Sequence, residues 1–383
     1  MKAVVVGAGV GGLALARGLC SAGHEVVVCE QAPALRTAGA TVTLWSNGTG
    51  ILRDLGVGLG GLGRTVNMLD TFTDRGQLLY SMRVADLTAR FGSPTLVVRR
   101  GSLLTRLLEG ETSPSVRFAA NCVGVREDAS GVAALLADGT EIAGDVLIGT
   151  DGHNSVVRRH LFADGPAKPT GIASWQGLCD APDDLLGDHR TRAYIGSAGM
   201  CALLPCGDGK LHCLFELPWS PGTEVSIVDL QARFGHLPAP VPALLDALDE
   251  TELGFYPYVR HRVPRGWGHG RVTLAGDAVH ALPATLAQGA NQTLEDAWML
   301  ARQLARPWPG GDPASLLRGY ERARYRPAKL ASALSSLKAP YDVLPPRVIG
   351  LAGDRLMTNV FAGLLRRFSN YLAEPAPRAR AAA

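Results

Sequence analysis

The sequence lacks the features that mark several common classes of protein. Its seven cysteines are odd in number and contain no C-x-x-C pair, so neither a disulfide framework nor a zinc signature is indicated. The formal net charge is only +3 over 383 residues, and the arginines are scattered rather than gathered into a basic stripe. Nucleic-acid binding is therefore not expected, because it requires a dense positive surface.

Long apolar runs are also scarce. Residues 3–16 superficially resemble a signal peptide, but glycines at 7, 9, 11 and 12 interrupt them, and no other run approaches the ~20 apolar residues of a membrane span. Cys201, Cys206 and Cys213 lie close to His212, where a metal site is conceivable, although buried strand thiols are the commoner case. We expect a cytoplasmic protein with reduced cysteines and no membrane span.

The chain opens with a strand, a glycine-rich turn and a helix. Residues 2–6 (KAVVV) form an apolar run typical of a buried parallel strand, and helical sequence to about Ala22 is followed by a second strand at 25–30. Gly7, Gly9 and Gly12 have the G-x-G-x-x-G spacing, and Glu30 closes the second strand. This order of elements is a βαβ unit.

The glycine-rich turn predicts a dinucleotide site. Glycines permit a tight turn and close approach of a pyrophosphate, and the free N–H groups at the helix start attract the anion. A carboxylate at Glu30 would accept hydrogen bonds from a ribose 2′-hydroxyl and repel a 2′-phosphate. The competing interpretation is a glycine-rich turn beside a solvated glutamate.

A second polar turn between a strand and a helix comes late in the chain. Residues 275–297 read AGDAVHALPATLAQGANQTLEDA, and a helix is expected from about Gln288 to Leu304. The N–H dipoles at its start would stabilise negative charge. Two further motifs stand between the turns, RGSL at 100–103 and IGTDGHNSVVR at 148–158. Taken singly, their polar residues could equally be helix caps, turn formers or surface charges.

Together the four stretches resemble a known family, the single-component FAD-dependent aromatic hydroxylases of the para-hydroxybenzoate hydroxylase type. The resemblance covers about residues 1–335 and keeps the family's order: GAGVGG with its glutamate, the RxxL motif, the Asp-Gly motif, and the late turn. The fold that it implies is α/β, with a Rossmann-like FAD-binding domain interleaved with a strand-rich substrate domain and followed by C-terminal helices.

The resemblance also implies a division of the chain. Residues 1–70, 98–170 and 265–335 are expected to form a discontinuous FAD-binding domain, and residues 71–97 and 171–264 a substrate-binding β-sheet domain built from short strands. A C-terminal helical segment is expected at 336–372, packed on the body or on a second subunit, with a disordered tail at 373–383. The sequence does not choose between a monomer and a homodimer.

Residue roles follow from the resemblance in the same way. In the family, the residue matching Asp277 binds the ribityl chain, the Gln-Gly-Ala-Asn turn holds the isoalloxazine, and the arginine matching Arg100 contacts FAD. Carried over position by position, the expected cofactor-binding residues are Gly7, Gly9, Gly12, Glu30, Gln31, Arg36, Arg100, Val123, Asp151, Asp277, Gln288, Gly289, Ala290 and Asn291.

Three positions depart from the family's pattern. The proline that usually stands four residues after the histidine of the late turn is replaced by Ala284, with Pro283 one position early. Ala287 stands where glycine is frequent, and Gln176 stands where arginine is frequent. The first two departures concern the shape of the loop that lines the flavin face where oxygen reacts.

The implied reaction is a monooxygenation. NAD(P)H, binding transiently because no second nucleotide fingerprint exists, would reduce FAD, and O2 would then form a C4a-hydroperoxyflavin that hydroxylates an aromatic or other electron-rich small molecule. The cofactor supplies the chemistry, whereas the protein positions it in a dry pocket. Few catalytic side chains are then expected, and the sequence contains no Ser-His-Asp or H-E-x-x-H pattern.

Substrate contacts are expected from the strand-rich middle segment. The candidates for a pocket wall are Trp175, Tyr194, His212, Phe215, Tyr256 and Tyr258, of which His212, Tyr256 and Tyr258 are the catalytic candidates. His212 could deprotonate a phenol, although a histidine satisfied within a strand is the more common case. Tyr256 and Tyr258 would face the same side of a strand.

Several other functions remain open from the sequence. A flavoenzyme of the same fold could be an epoxidase, a Baeyer–Villiger oxygenase or a reductase of isoprenoids, whereas the tryptophan halogenase pattern W-x-W-x-I-P is absent. A redox-neutral flavin-binding protein would bind FAD without ligand-stimulated NAD(P)H oxidation. An NAD dehydrogenase would use only the first motif and would leave Asp151 and Asp277 unexplained.

Overall fold

The computed structural model describes residues 1–37, 39, 41–110, 114–128, 131–182, 185, 187, 189–306, 313–337 and 353–374. Its helices are α1 (Val10–Ser21), α2 (Ser46–Asp54), α3 (Val84–Phe91), α4 (Arg100–Leu108), α5 (Val156–Phe162), α6 (Ile227–Phe234), α7 (Val241–Ala247), α8 (Asp277–His280), α9 (Gly289–Leu304), α10 (Pro313–Ser335) and α11 (Asp354–Phe368). Short 3-10 helices lie at Glu250–Glu252 and Ala284–Leu286. None of the helices described combines the length and apolar character that a bilayer crossing requires.

A five-stranded parallel sheet carries the first motif. Its strands are β1 (Lys2–Val6), β2 (Glu25–Cys29), β8 (Ser115–Arg117), β12 (Val146–Gly149) and β18 (Val272–Leu274), in the order β18–β12–β1–β2–β8. The central strands β1 and β12 are buried along nearly their whole length, as expected for a parallel sheet covered on both faces. Because all five strands run in parallel, their carboxyl ends meet at one edge.

Helices cover the parallel sheet and form one apolar core with it. Helix α1 packs closely on α9, and α10 packs on α9 in turn. Gly11 and Gly18 of α1 lie against Thr293 and Ala301 of α9, so side chains at either glycine would separate the two helices. Leucine and valine side chains from β1, α1, β12 and α9 are all buried in this cluster.

A seven-stranded, mainly antiparallel sheet forms the second large unit. It comprises β5 (Met68–Thr73), β6 (Leu78–Arg83), β13 (Lys168–Asp180), β14 (Arg190–Gly196), β15 (Gly199–Gly207), β16 (Lys210–Pro218) and β17 (Gly254–Arg260), in the order β17–β13–β16–β15–β14–β5–β6. Its central strands are longer than the short strands expected, and β13 spans 13 residues. Aromatic and aliphatic residues of one face pack against α6 and α7 in a separate apolar cluster.

Two three-stranded sheets complete the fold. Strands β9 (Cys122–Asp128), β10 (Gly131–Leu136) and β11 (Glu141–Gly144) form the expected antiparallel meander. Strands β3 (Thr41–Leu44), β4 (Gly63–Thr65) and β7 (Leu96–Arg99) form a sheet in the order β3–β7–β4, and β4 and β7 pack against β15. This small sheet therefore joins the first unit to the large sheet.

The expected α/β architecture with a strand-rich second unit is confirmed. Helix α11 lies within the predicted C-terminal helical segment and packs on β6 and α10. Leu365 and Phe368 are buried there, whereas Leu356 and Val360 are exposed. Residues 338–352 and most of the predicted tail lie outside the described residues. The exact domain boundaries stay a prediction.

Candidate functional site

A cavity of about 610 Å³ opens at the carboxyl edge of the parallel sheet. Its volume lies within the usual range of small-molecule and cofactor sites, about 300–1,000 Å³. Segments from all four sequence motifs meet in its wall. The predicted residues that line it are Gly7, Gly9, Glu30, Gln31, Arg36, Arg100, Asp151, Asp277, Gly289 and Ala290.

The three glycines of the first motif have different surroundings. Gly7 has φ +103°, and a Cβ there would lie 2.7 Å from the Thr150 carbonyl oxygen. A Cβ on Gly12 would overlap the Gly7 carbonyl oxygen, so Gly12 is required for helix–strand packing and does not line the cavity. A Cβ on Gly9 would meet no atom within 4 Å, because it would point into open space at the α1 N-terminus.

Glu30 joins the end of β2 to the glycine turn. Its Oε2 accepts a hydrogen bond from the Ala8 N–H at 2.9 Å, and its Oε1 accepts one from the Ala32 N–H at 2.9 Å. Each carboxylate oxygen has two lone pairs, so both can still accept a hydrogen bond from a group in the cavity. The carboxylate thus shapes the turn and remains available to a ligand.

Asp151 lies at the end of β12 and organises the helix that follows. Its carboxylate accepts hydrogen bonds from Ser155 Oγ at 2.6 Å and from the Val156 N–H at 2.7 Å. Burial raises the pKa of Asp151, and these hydrogen bonds oppose the shift. Asp151 is therefore both a cavity-lining acid and a helix-capping residue, so the two sequence interpretations are compatible.

Arg158, seven residues after Asp151, links this motif to the late turn. Its side chain pairs with Asp164 at 2.8 Å and donates to the carbonyl oxygens of Ala278 and Val279 in α8 at 3.0 and 3.2 Å. The arginine of the Asp-Gly motif thereby holds α8 in place. Asp277 is the first residue of α8, and its exposed carboxylate lines the cavity.

The N-terminus of α9 forms the far wall, where Gly289 and Ala290 line the cavity. Asn291 is fully buried and does not line it. Its Oδ1 accepts from the Trp45 N–H at 2.9 Å, and its Nδ2 donates to the carbonyl oxygens of Thr43 and Ala287 at 2.9 and 2.8 Å. Asn291 therefore ties the late turn to the β3–α2 junction.

Two residues beside Asn291 show how the turn is shaped. Ala287 has φ +49° and ψ +40°, a left-handed conformation that glycine adopts without strain. This is a physical reason to expect glycine at this position, as the resemblance implied. Gln288 is fully buried outside the cavity lining, and its Nε2 has no hydrogen-bond partner among the described residues.

A buried charge network lies beneath the N-terminal half of α9. Asp296 accepts hydrogen bonds from His280 Nε2 at 2.6 Å, Arg324 Nε at 2.7 Å and the Gly276 N–H at 2.8 Å. Burial raises the pKa of Asp296, but the His280 and Arg324 charges outweigh it and bring the pKa to about 2. Glu295, its neighbour, accepts from Asn47, Ser369 and the backbone N–H groups of Asn370 and Tyr371.

Val123, the remaining predicted contact, lies outside the cavity lining. Its side chain is 55% exposed, whereas the preceding residues Asn121 and Cys122 do line the cavity. A role for Val123 in cofactor binding stays a prediction. The sequence analysis also missed Leu35, Val42, Leu104 and His153, which line the cavity. The sequence around these residues contains no motif that marks them as cavity-lining, except that His153 directly follows the Asp-Gly pair.

The aromatic candidates of the middle segment divide between the two faces of the large sheet. Trp175, Tyr194 and Phe215 belong to the apolar cluster shared with α6 and α7, so the structure places them in the core. His212, Tyr256 and Tyr258 lie on the opposite face by strand register. His212 is buried and hydrogen-bonded to Thr41 at 2.6 Å and Gln176 at 3.1 Å.

A metal site near the cysteines finds no support in the described part of the chain, where no three His, Cys, Asp or Glu side chains are grouped to hold an ion. Cys201 is fully buried, and burial raises its pKa far above the ordinary value. Cys206 and Cys213 are buried strand residues as well.

The residues in the cavity fit the FAD that the resemblance implies. Open space over Gly9 at an uncapped helix N-terminus suits a pyrophosphate, since no side chain of the described residues caps α1. Glu30 and Asp277 offer carboxylates for hydroxyl groups, and the N-terminus of α9 offers N–H groups to an anionic ring.

Comparison with known proteins agrees with this fit. A family model described as FAD binding domain matches residues 1–334. The aurachin C monooxygenase/isomerase of Stigmatella aurantiaca is 31% identical over 312 residues, covering 80% of this chain and 81% of that protein. The 3-amino-4-hydroxybenzoate 2-monooxygenase PtmB3 of Streptomyces platensis is 32% identical over 337 residues, covering 84% of each. Klebsiella pneumoniae HpxO, solved with FAD and uric acid, matches with a TM-score of 0.88 at 25% identity over 95% of this chain and 96% of that one.

Proposed function

The chain belongs to the single-component FAD-dependent aromatic hydroxylases, a family of FAD-binding monooxygenases, and from this premise we propose that it uses NAD(P)H and O2 to hydroxylate a small electron-rich aromatic molecule. One observation carries the proposal: four motifs that are far apart in the sequence line a single cavity of about 610 Å³. A dehydrogenase that used only the glycine-rich turn would not require Arg100, Asp151 and Asp277 in the same wall.

Each cavity residue has a proposed task toward FAD. The α1 N-terminus at Gly9 binds the pyrophosphate, and Glu30 accepts hydrogen bonds from the adenosine ribose. Asp277 accepts hydrogen bonds from the ribityl chain, and Arg36 and Arg100 supply positive charge beside the cofactor. Gln288 lies behind the cavity wall, and its Nε2 is a buried donor without an acceptor among the described residues, so a role in holding the isoalloxazine would require the turn to move.

The chain's residues then supply position and dryness, while bound FAD supplies electron transfer from NAD(P)H and the reaction with O2. The N-terminus of α9 stabilises negative charge that develops next to it. Asn291 keeps the turn at Ala287 against the β3–α2 junction, so the wall keeps its shape. We infer that the large sheet, joined to this wall through β3 and Thr41, excludes water from the substrate's side.

The proposal is tested with purified holoenzyme. The protein should be yellow, and NADH or NADPH oxidation should rise when members of a phenol and indole panel are added. Mass spectrometry after reaction under isotopically labelled O2 should find one labelled oxygen atom in the product. Yellow protein that is inert across the panel would favour the redox-neutral or other-substrate alternatives, and protein that cannot be reconstituted with FAD would contradict the proposal.

A matched pair of variants separates the site from general effects. Asp277→Ala removes a cavity-lining carboxylate and should weaken FAD binding by about tenfold, which corresponds to one lost hydrogen bond to a charged group. Asp86→Ala removes an exposed carboxylate that pairs with Arg83 on α3 and should leave FAD affinity unchanged. Equal affinities in the two variants would contradict the role assigned to Asp277.

A further inference from the structure

The two faces of the large sheet differ in chemistry. Cross-strand neighbours share a face, so the registers Ser174↔Glu216↔Met200 and Gln176↔Leu214↔Ala202 define one face. We call its middle the central patch: Ser174, Gln176, Met200, Ala202, His212, Leu214, Glu216, Tyr256 and Tyr258. The opposite face carries Trp175, Cys201, Cys213 and Phe215 and is sealed by α6 and α7. Of the two faces, only the one that carries the central patch is thus rich in polar groups.

The central patch borders open space. Gln176, Met200, Ala202, Leu214 and Tyr256 are half-buried, whereas the residues that alternate with them along β13, β15 and β16 are buried. Side chains at the middle of a sheet retain such exposure only when something other than a packed layer lies in front of them. The middle of the patch is therefore not covered by a packed layer of side chains.

The patch lies next to the cofactor cavity and the late turn. His212 bonds Thr41 of β3, and the next residue, Val42, lines the cavity. Leu178 and Leu204, which flank the patch, pack in the same apolar cluster as Trp45 and Ala287. Trp45 in turn donates its indole N–H to the Leu286 carbonyl oxygen at 3.3 Å. The patch and the late turn are therefore two walls of one region.

Hydrogen bonds run through the patch in one direction. Gln176 donates from Nε2 to Ser174 Oγ at 2.7 Å, so its Oε1 accepts from His212 Nε2 at 3.1 Å. His212 then carries its proton on Nε2, and its Nδ1 accepts from the Thr41 hydroxyl at 2.6 Å. At the other end, the Tyr258 hydroxyl interacts with Ser174 and Glu216. Because the Thr41 hydroxyl donates its hydrogen to His212, its oxygen can only accept a hydrogen bond from any further group.

The patch contains an acidic residue and no basic one. The nine residues include one carboxylate, Glu216, which is 4% exposed, and no lysine or arginine. Burial lowers the pKa of His212 to about 4, so this side chain is neutral near neutral pH. Lys210 lies at the start of β16, the strand that carries His212, where its side chain is exposed and paired with Asp180 at 2.7 Å. Arg36 and Arg100 line the cofactor cavity instead.

We infer that the substrate is an uncharged aromatic molecule with an N–H or O–H donor, and that a substrate carboxylate is disfavoured; this inference rests on the proposed hydroxylase function. A donor on the ring is satisfied by the outward lone pairs of Thr41. A carboxylate would be buried beside Glu216 in a patch whose nine residues include no lysine or arginine, and burying a charge without an opposite charge is strongly unfavourable. Gln176 is central to this selectivity, because it is a half-buried, uncharged side chain that is hydrogen-bonded to His212 in the middle of the patch.

The test compares probes that differ only by a carboxylate. The pairs are 2-aminophenol with 3-amino-4-hydroxybenzoate, and indole with indole-3-carboxylate. Binding to the oxidised holoenzyme is read from the change in the visible flavin spectrum. We expect the uncharged member of each pair to bind at least about tenfold more tightly. Equal or tighter binding of the carboxylates overturns the inference, as does failure of every uncharged probe to perturb the spectrum at millimolar concentration.

Two variants test whether the preference for uncharged probes arises in the central patch. Gln176→Arg adds a cation and should move the preference toward the carboxylate members by about tenfold or more. Gln231→Arg is the matched control, because Gln231 lies on α6 across the sheet and bonds Asp246 at the surface; its preference should equal that of the wild type. An unchanged preference in Gln176→Arg overturns the inference.

Glu216→Gln keeps the side-chain shape and replaces the acidic group by an amide, so it gives a second test if Gln176→Arg does not fold. Affinity for the carboxylate members should rise by about threefold or more, with little change for the uncharged members. Binding is measured without turnover, so the two proposals fail separately. A holoenzyme that prefers uncharged probes but oxygenates none contradicts the hydroxylase function alone, and an active hydroxylase that prefers carboxylates contradicts this inference alone.

Discussion

The cofactor cavity and the central patch are both polar, but their polar groups arise in different ways. In the cavity, strand ends and helix starts present backbone N–H groups, and short motifs such as that of Asp151 and Ser155 supply the side chains. In the patch, neighbouring partners are far apart in the chain: Thr41 and His212 are separated by 171 positions, and His212 and Gln176 by 36. Within each motif the polar groups of the cavity are positioned by local sequence, although the parallel sheet brings the motifs together, whereas the groups of the patch are positioned by strand register.

This difference predicts which substitutions should have local effects and which should also disturb neighbouring residues. Residues of the cavity can be altered one at a time, because each is held mainly by its own turn or helix. The polar residues of the patch are hydrogen-bonded to one another in series. Removal of one therefore leaves its neighbours without a hydrogen-bond partner in a buried setting. The buried network at Arg324 resembles the patch in this respect, although it lies beneath the cavity.

The largest effect is expected from breaking the network beneath the cavity. Arg324→Met removes the buried guanidinium that pairs with Asp296 and Glu295 and leaves Asp296 with His280 alone, which should cost about 3–5 kcal/mol of unfolding free energy. Urea unfolding of the apoprotein measures it. Arg302→Met, at an exposed ion pair with Glu374, should cost no more than about 1 kcal/mol. Similar costs in the two variants would show that the buried network is not important for stability.

The second largest effect is the loss of stability in acid that is expected from protonation of His212 in the patch. Because burial lowers the pKa of His212 from 6.5 to about 4, the unfolded chain takes up this proton first as the pH falls. The stability associated with neutral His212 is complete above its unfolded pKa and is lost between pH 6.5 and about 4, by up to about 3 kcal/mol.

Urea unfolding of the apoprotein across this pH range tests the histidine. His212→Gln should flatten the dependence of stability on pH. His269→Gln, at a histidine whose side chain is 88% exposed, should keep the wild-type slope. A wild-type slope in His212→Gln would mean that other groups cause the loss of stability in acid.

The glycine turn allows the sharpest comparison within the cavity. Gly12→Ala forces a methyl group against the Gly7 carbonyl oxygen and should cost about 1–3 kcal/mol of stability, with loss of FAD affinity. Gly9→Ala adds its methyl group to open space, so apoprotein stability should change by less than about 0.5 kcal/mol. Its FAD affinity should still fall, because the methyl group occupies the pyrophosphate position. An FAD affinity in Gly9→Ala equal to that of the wild type would contradict the placement of the pyrophosphate at Gly9.

The smallest effect is a gain in stability at the late turn. Ala287→Gly relieves a left-handed alanine and should raise stability by about 0.5–1 kcal/mol, after allowance for the greater freedom of glycine in the unfolded chain. Ala284→Gly, in the same turn but without positive φ, should instead lower stability by a similar amount, about 0.5–1 kcal/mol. Thermal unfolding of both variants, recorded side by side, distinguishes strain at Ala287 from a general effect of glycine.

Much of the cofactor cavity could be predicted from sequence because its signals are local. The spacing of Gly7, Gly9 and Gly12 between a strand and a helix already indicates a phosphate-binding turn, and ten of the predicted residues line the cavity. The exceptions are instructive. Gly12 and Asn291 fit their motifs but serve packing and turn geometry, since a motif specifies a residue type without stating which neighbour requires it.

What the sequence by itself determined is the α/β architecture, the glycine turn and the family, because strand and helix periodicities and short motifs are properties of neighbouring residues. Only the tertiary structure decided which face of the large sheet turns toward β3 and the late turn. Trp175 and Gln176 are adjacent in the chain, yet one lies in the core and the other in the central patch. The same holds for the links from Thr41 to His212 and from Arg324 to Asp296, since strand register and helix packing join groups that no sequence spacing connects.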